Sequence, residues 1–366
     1  MGNHSTIRVL IVDDSAFMRT VITEMLSAAP DIEVVGSAGD GKQGLVMARD
    51  LTPDVITLDV EMPILSGIEM LPILMSTHPT PVIMLSSLTK EGADVTLEAL
   101  SLGAVDFMPK NLEGGPLGMR KVGPQLVEKV RAVGTGNTRA ALTRRNTGTQ
   151  TGFVSAPAAA PREHTATGEM PVVAIGCSTG GPAALSEVIP ALPGNLNAAV
   201  VVVQHMPAGF TRVLAERLDR LSRVSVKEAE DGETLRPGVV LVAPGGHHLM
   251  VERTQNGLVA RLSDTPQTSI MPAVDILFES LAKACPRETL GMVLTGMGTD
   301  GRDGSRTLAG KGGTIVAQCA TGCLVYGMPK AVVDSGIARR VVELPHIADH
   351  ISRHTVEADG SKVGIG

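Results

Sequence analysis

The stretch Ile7-Arg8-Val9-Leu10-Ile11-Val12-Asp13-Asp14 decides how the first third of the chain is read. A short apolar run ends in an acidic pair. Ser15 then offers a cap to a segment in which Met18, Val21, Ile22, Met25, Leu26 and Ala29 recur at helical spacing. Further apolar runs at Ile32 to Val35, Val55 to Leu58, Val82 to Leu85 and Val105 to Met108 alternate with helix-length stretches. Leu126, Val127, Val130 and Val133 mark a last helix after Pro124. Strands alternating with helices predict a parallel, doubly wound sheet. In such sheets ligands gather at the carboxyl ends of the strands. Asp13 and Asp14 would there meet Asp59, which ends the run from Val55, and Lys110, which follows Val105-Asp106-Phe107-Met108-Pro109. Three carboxylates in one place repel one another, and some would stay protonated unless a cation neutralised them. A hard divalent ion with oxygen ligands, most simply Mg2+, meets that need and leaves room for a phosphoryl group.

Composition narrows the possible functions. The 366 residues are enough for two domains with sizeable cores. Hydrophobic content of 43% with a net charge of −6 argues against general nucleic-acid affinity. With no Trp, one Tyr and five Phe, platforms for stacking bases are missing as well. Runs such as Ala198 to Val203 are far too short to span a bilayer, and no signal segment is recognised, so no membrane insertion is expected. Cys177, Cys285, Cys319 and Cys323 are too sparse for a disulfide framework. Cys319 and Cys323 form a lone C-x3-C, for which buried thiols are a better reading than zinc. A cytoplasmic protein is expected.

Residues 1–133 read as one α/β domain. Over 134–169 the periodicity collapses into Thr-, Arg- and Asn-rich, then Ala- and Pro-rich sequence, as expected of a flexible linker. A second α/β domain is expected over 170–366. Its strand candidates are Val172 to Ile175, Ala198 to Val203, Val239 to Val242, Leu258 to Leu262, Leu290 to Leu294 and Thr314 to Ala317. Few of them alternate, so most should be buried on both faces of a parallel sheet.

The first of these strands runs into Gly176-Cys177-Ser178-Thr179-Gly180-Gly181-Pro182, with a helix to follow. A hydroxyl held on that turn would lie beside a helix N-terminus, whose free N–H groups attract negative charge. Those are the requirements for a serine nucleophile with an oxyanion hole. Taken alone, the segment fits a glycine-rich phosphate loop equally well. The partners favour the nucleophile. His205 follows the apolar run from Ala198, and Asp300 lies in the loop after Leu294, so a base and an orienting carboxylate would leave the same sheet edge. His247-His248 is a competing loop pair, and Asp300 or Asp303 could instead cap the next helix. Gly176 to Gly180 also fits the G-x-S-x-G elbow of α/β-hydrolases, which would call for a late histidine such as His346, His350 or His354.

Both halves resemble one family. Asp13-Asp14, Asp59-Val60-Glu61-Met62-Pro63, Ser86 and Lys110 resemble the receiver domain of two-component response regulators, a flavodoxin-like (βα)5 fold. Gly176 to Gly181, Gln204-His205-Met206-Pro207, Ala243 to His247 and Gly296 to Gly301 are similar to the chemotaxis protein-glutamate methylesterases of the CheB family. The resemblance makes Asp59 the phosphoryl acceptor. It gives Asp13, Asp14 and the backbone carbonyl of Glu61 to Mg2+, Lys110 and Ser86 to the phosphoryl oxygens, and Phe107 to the switch aromatic. It makes Ser178 the nucleophile, His205 the base and then acid, and Asp300 the orienting carboxylate, with N–H groups of Thr179 and Met297 as oxyanion donors. No cofactor is implied for hydrolysis itself. The implied substrates are methylated glutamates on chemoreceptor cytoplasmic helices, and in many members glutamines to be deamidated. The implied phosphodonor is a chemotaxis histidine kinase. The family also implies that the unphosphorylated receiver covers the catalytic cleft. Two departures stand out: Cys177 where Ala is expected, and Pro109 before Lys110 rather than after it.

Overall fold

The computed structural model describes residues 6–86, 89–110, 116–134, 138, 142 and 170–360. The chain divides into two compact units, Met1–Thr151 and Gly152–Gly366. Most of the expected linker lies outside the described residues. Thr138 and Leu142, the described residues within 135–169, are buried.

The first unit holds β1 (Ile7–Val12), β2 (Ile32–Ala38), β3 (Val55–Asp59), β4 (Val82–Ser86) and β5 (Asp106–Pro109) in one sheet of order β2-β1-β3-β4-β5. Every pairing is parallel. The order reverses between β1 and β3, which opens a crevice where their carboxyl ends meet. The helices are α1 (Ala16–Ser27), α2 (Gly41–Leu51), α3 (Gly67–Thr77), α4 (Lys90–Ser101) and α5 (Pro116–Val133). Four of them begin where a polar side chain satisfies an orphan N–H group. Ser15 accepts from Met18, Asp40 from Gln43 and Thr89 from Gly92, while Ser66 and Glu69 form a reciprocal capping box. The last helix departs from the reading that starts it after Pro124, for it begins at Pro116 and carries Pro124 inside. An internal proline removes a helical hydrogen bond. Here packing against α1, with Leu126, Val130 and Val133 buried, carries the helix through.

The second unit is built on a seven-stranded parallel sheet of order β14-β13-β12-β6-β7-β9-β8. Its strands are β6 (Val172–Cys177), β7 (Ala199–Gln204), β8 (Ser225–Glu228), β9 (Val239–Val242), β12 (Thr289–Val293), β13 (Thr314–Gln318) and β14 (Arg340–Val342). Two edge strands, β8 and β14, escape the sequence reading because Ser225-Val226-Lys227-Glu228 and Arg340-Val341-Val342 are short and partly polar. The run Leu258 to Leu262 is a strand outside this sheet. It belongs to β11 (Gly257–Ser263), which pairs antiparallel with β10 (His248–Thr254) in a separate hairpin. Leu249, Val251, Leu258 and Ala260 give that hairpin one buried face, packed with Phe278 in the domain core. Helices α6 (Gly181–Ala191), α7 (Phe210–Leu221), α8 (Val274–Ala284), α9 (Arg302–Gly310), α10 (Met328–Asp334) and α11 (Ile347–Gly360) complete the unit. Strand order reverses between β6 and β12, a second topological switch point. Among the described residues, no helix is long and apolar enough to cross a membrane.

Candidate phosphorylation and hydrolase sites

At the β1/β3 crevice, ligand atoms of Asp13, Asp14 and Asp59 all lie within 4.8 Å of one another. Asp13 and Asp59 are buried, whereas Asp14 is exposed. Lys110 Nζ reaches in from the end of β5, 2.6 Å from Asp59 Oδ2 and 2.9 Å from Asp13 Oδ2. Burial pushes the Asp59 carboxyl up to about 6, against the pull of the Lys110 ammonium. Burial also works against the Lys110 charge, yet Asp59 and Asp13 together hold the ammonium above the ordinary lysine range. Asp59 Oδ1 accepts from Val60 N at 2.8 Å, and Asp13 Oδ1 accepts from Ser15 N at 3.0 Å. Asp13 Oδ2 is buried and makes no hydrogen bond, its approach to Lys110 being a charge contact without hydrogen-bond geometry. A buried carboxylate oxygen without a hydrogen bond and two more carboxylates form a hard oxygen donor set. They fit an octahedral cation such as Mg2+. The Ser86 hydroxyl donates to the Gly92 carbonyl of α4 at 3.1 Å, and Phe107 is buried.

In the second unit β12, β6 and β7 lie side by side, with β6 between the other two. The register pairs Gly176 with Val203 and Cys177 with Gln204, which carries Ser178 and His205 to the same edge. His205 N donates to Cys177 O at 3.1 Å, and Ser178 N donates to Thr295 O at 3.0 Å. The His205 ring meets Asp300 through Nε2, 2.7 Å from Oδ2. Nδ1 is therefore the ring nitrogen left for Ser178, although no hydrogen bond joins the two here. Asp300 also accepts backbone N–H groups from Val274 at 2.6 Å and from Asp275 and Gly301 at 2.9 Å each. Burial would raise the Asp300 carboxyl, but the His205 bond and charge and the N–H groups of Val274 and Asp275 hold it below the usual carboxylate range.

The turn around Ser178 is set by close approaches. Gly180 takes a φ of 80°, the left-handed region that glycine enters without strain. A Cβ on Gly296 would fall 2.3 Å from Met328 Sδ and 2.9 Å from Ser178 Cβ, so only glycine lets this loop close over the serine. Thr179 is buried and Met297 half-buried on the two loops flanking Ser178. The competing histidines are engaged elsewhere. His247 is exposed and paired with Asp264, while His248 is buried, accepting from Ala273 N at 3.2 Å and bonding Pro266 O at 2.9 Å. His346 ends the turn Leu344–His346, and His350 and His354 lie on α11, all beyond the edge strand β14.

Several supporting residues give no sequence signal of their own. Thr295 Oγ1 donates to Thr179 O at 2.9 Å and accepts from Val325 N at 3.1 Å. Gln318 Oε1 accepts from Thr295 N at 2.8 Å, and Gln204 Nε2 donates to Ser178 O at 3.0 Å. Gln204 beside His205 and Thr295 two residues before Met297 stand close to site residues in sequence, whereas Gln318 does not. Cys177, the thiol beside Ser178 in the chain, is fully buried and donates to Gln204 Oε1 at 3.1 Å. Burial pushes that thiol far above its ordinary range, which suppresses the reactive thiolate. Cys177→Ala should therefore keep ester hydrolysis within about threefold of wild type at some cost in stability, since it removes one buried sulfur. Loss of turnover in a folded Cys177→Ala protein would count against this view.

Residues 173–351 match the family model for CheB methylesterase, and residues 9–118 match that for the response regulator receiver domain. A protein-glutamate methylesterase/protein-glutamine glutaminase of Symbiobacterium thermophilum is 47% identical over 360 residues, covering 95% of this chain and 96% of the relative. Its namesake in Thermotoga maritima is 45% identical over 338 residues, covering 92% and 95%. The crystal structure of the Thermotoga maritima CheB methylesterase catalytic domain superposes with a TM-score of 0.50 at 41% identity. It covers 51% of this chain and 99% of that one.

Proposed function

The chain belongs to the CheB methylesterase family, with a receiver domain preceding the catalytic domain, and from that premise we propose a serine hydrolase, gated by phosphorylation, that demethylates glutamate methyl esters on chemoreceptors. The observation that carries the reading is the convergence of Ser178, His205 and Asp300 on adjacent strand ends, with the ring and carboxylate 2.7 Å apart. Ser178 Oγ attacks the ester carbonyl while His205 Nδ1 takes its proton. Asp300 holds the ring through Nε2 and stabilises the imidazolium. The tetrahedral oxyanion is received by the N–H groups of Thr179 and Met297. His205 returns the proton to the departing methoxide, methanol leaves, and water repeats the sequence to free Ser178 and restore the glutamate. A glutamine side chain would follow the same course with ammonia leaving.

Asp59 is the phosphoryl acceptor in this reading. Asp13, Asp14, Asp59 and the Glu61 carbonyl would hold Mg2+, which when bound neutralises the carboxylates and supplies positive charge to phosphoryl oxygens. Lys110 pairs with those oxygens, and Ser86 and Phe107 rearrange to signal the change. The phosphodonor is a histidine kinase and the substrate a chemoreceptor. The proposed domain limits are 1–133 and 170–366, with 134–169 as the expected linker between them.

The test uses a chemoreceptor cytoplasmic fragment carrying labelled methyl esters. The full-length protein, phosphorylated with acetyl phosphate and Mg2+, should release labelled methanol faster than the unphosphorylated protein. No release under either condition would sink the methylesterase reading. A fragment beginning near Glu169 should be faster than the unphosphorylated whole. If it is slower, the receiver activates without inhibiting.

A further inference from the structure

Helices α8 and α9 both begin without a cap of their own. The residue before α8 is Ala273 and the residue before α9 is Gly301, and neither has a side chain that can accept an N–H bond. Each helix is capped instead by an aspartate belonging to the other. Asp300, just ahead of α9, accepts Val274 N at 2.6 Å and Asp275 N at 2.9 Å from the first turn of α8. Asp275, in that same first turn of α8, accepts Gly304 N at 2.6 Å from the first turn of α9. The two helix starts are pressed together at this point, where a Cβ on Gly304 would fall 2.7 Å from Asp275 Cα and from its carbonyl oxygen.

This exchange bears on the hydrolase site because one of the two caps is Asp300. Its Oδ2 is shared between His205 Nε2 and Val274 N, and its Oδ1 is held by Asp275 N and Gly301 N. The carboxylate plane that presents Oδ2 to the ring thus depends on where α8 begins relative to α9. The Asp275–Gly304 bond fixes that offset. We propose that Asp275 is a positioning residue of the hydrolase, holding Asp300 in register with His205 while touching neither the substrate nor the ring. The proposal rests on the assignment of Ser178, His205 and Asp300 given above.

Charge adds a second consequence. The groups facing Asp275 are Asp300 from the loop after β12 and Asp303 and Arg302 from α9, with His205 beyond Asp300. Burial pushes the Asp275 carboxyl up to about 6, the Gly304 N–H pulls it down, and the charges of Asp300 and Asp303 raise it again. Above that pH the ionised Asp275 places a second negative charge behind Asp300. That charge favours the protonated ring formed during acylation.

The experiment measures kcat and KM for methanol release by the full-length, phosphorylated protein from about pH 5 to 9. It compares wild type, Asp275→Ala, Asp275→Asn, Asp275→Glu, Asp303→Asn and Ser178→Ala. Asp275→Ala should lower kcat by about 10- to 100-fold with KM nearly unchanged, the size expected from a small misplacement of a catalytic group. Asp275→Asn keeps an oxygen for Gly304 N and should recover most of kcat. Having lost the charge, it should also move the acid limb of the kcat/KM profile to lower pH. Asp303→Asn removes an exposed, solvent-screened charge nearby, so it should leave kcat unchanged and move the acid limb less than Asp275→Asn does. Wild-type kcat in folded Asp275→Ala would overturn the proposal. If that variant does not fold, Asp275→Glu, which keeps the charge but carries the carboxylate one methylene farther, decides: a lowered kcat with KM unchanged supports the role, and wild-type kcat refutes it. Activity surviving in Ser178→Ala would instead refute the triad assignment on which the proposal stands.

Discussion

Ser178→Ala should lower methanol release by roughly four to six orders of magnitude while leaving the fold intact. The hydroxyl sits on a half-exposed residue and has no hydrogen bond that the strand or the helix needs. Removing it deletes the nucleophile and little else. The loss is large because the three residues act as one device, so what remains is only binding and oxyanion stabilisation. A serine-directed fluorophosphonate should label wild type and fail to label this variant, which reports on the same oxygen without a receptor. His205→Ala should approach the same loss. Asp300→Ala should lose less turnover because Asp300 orients rather than reacts. It should be the least stable of the three, since Val274 and Asp275 at the start of α8 would lose their N–H acceptor. Full labelling and turnover in Ser178→Ala would move the nucleophile elsewhere.

Asp59→Asn should abolish stable phosphorylation by acetyl phosphate and hold hydrolysis at the rate of the unphosphorylated protein. Asp59 alone of the three clustered aspartates lies at the end of β3 with one oxygen on Val60 N and the other 2.6 Å from Lys110. An amide in its place cannot form the acyl phosphate, and it weakens the cation site by removing a carboxylate from a set of three. EDTA should suppress labelling of the wild-type protein, and added Mg2+ should restore it. Labelling is followed by intact mass, where the phosphoryl group adds to the wild type only. An Asp59→Asn protein that still gains the phosphoryl mass in full would show the acceptor to be misassigned.

Much of this was legible in the chain because parallel sheets write their function at strand ends. Buried parallel strands are short apolar runs, and the first polar residue after each run lies at the carboxyl edge. Asp13-Asp14, Asp59, Lys110 and Ser178 could be placed by that rule alone, and His205 by standing one residue beyond Gln204; the structure brings each to its edge. Asp300 stands farther from its strand and was placed by the loop that carries it. The two edge strands were illegible because exposure and small size erase the apolar run. The hairpin strand β11 looked like a sheet strand because its core face is as apolar as one. Pro124 suggested a helix boundary that packing against α1 overrides.

The sequence by itself determined which residue types reach the two sheet edges, since strand spacing and the alternation with helices leave few other threadings. Only the tertiary structure decided how those groups face one another. It assigned Nε2 of His205 to Asp300, buried the Cys177 thiol beside Gln204, and turned the Ser86 hydroxyl to Gly92. It also joined Asp300 and Asp275 through helices that cap each other across 25 residues of chain. The physical reason is range. Periodicity reports burial of a face, a local property, whereas hydrogen bonds at helix starts and ring nitrogens depend on angstrom-scale offsets between elements packed from distant parts of the chain.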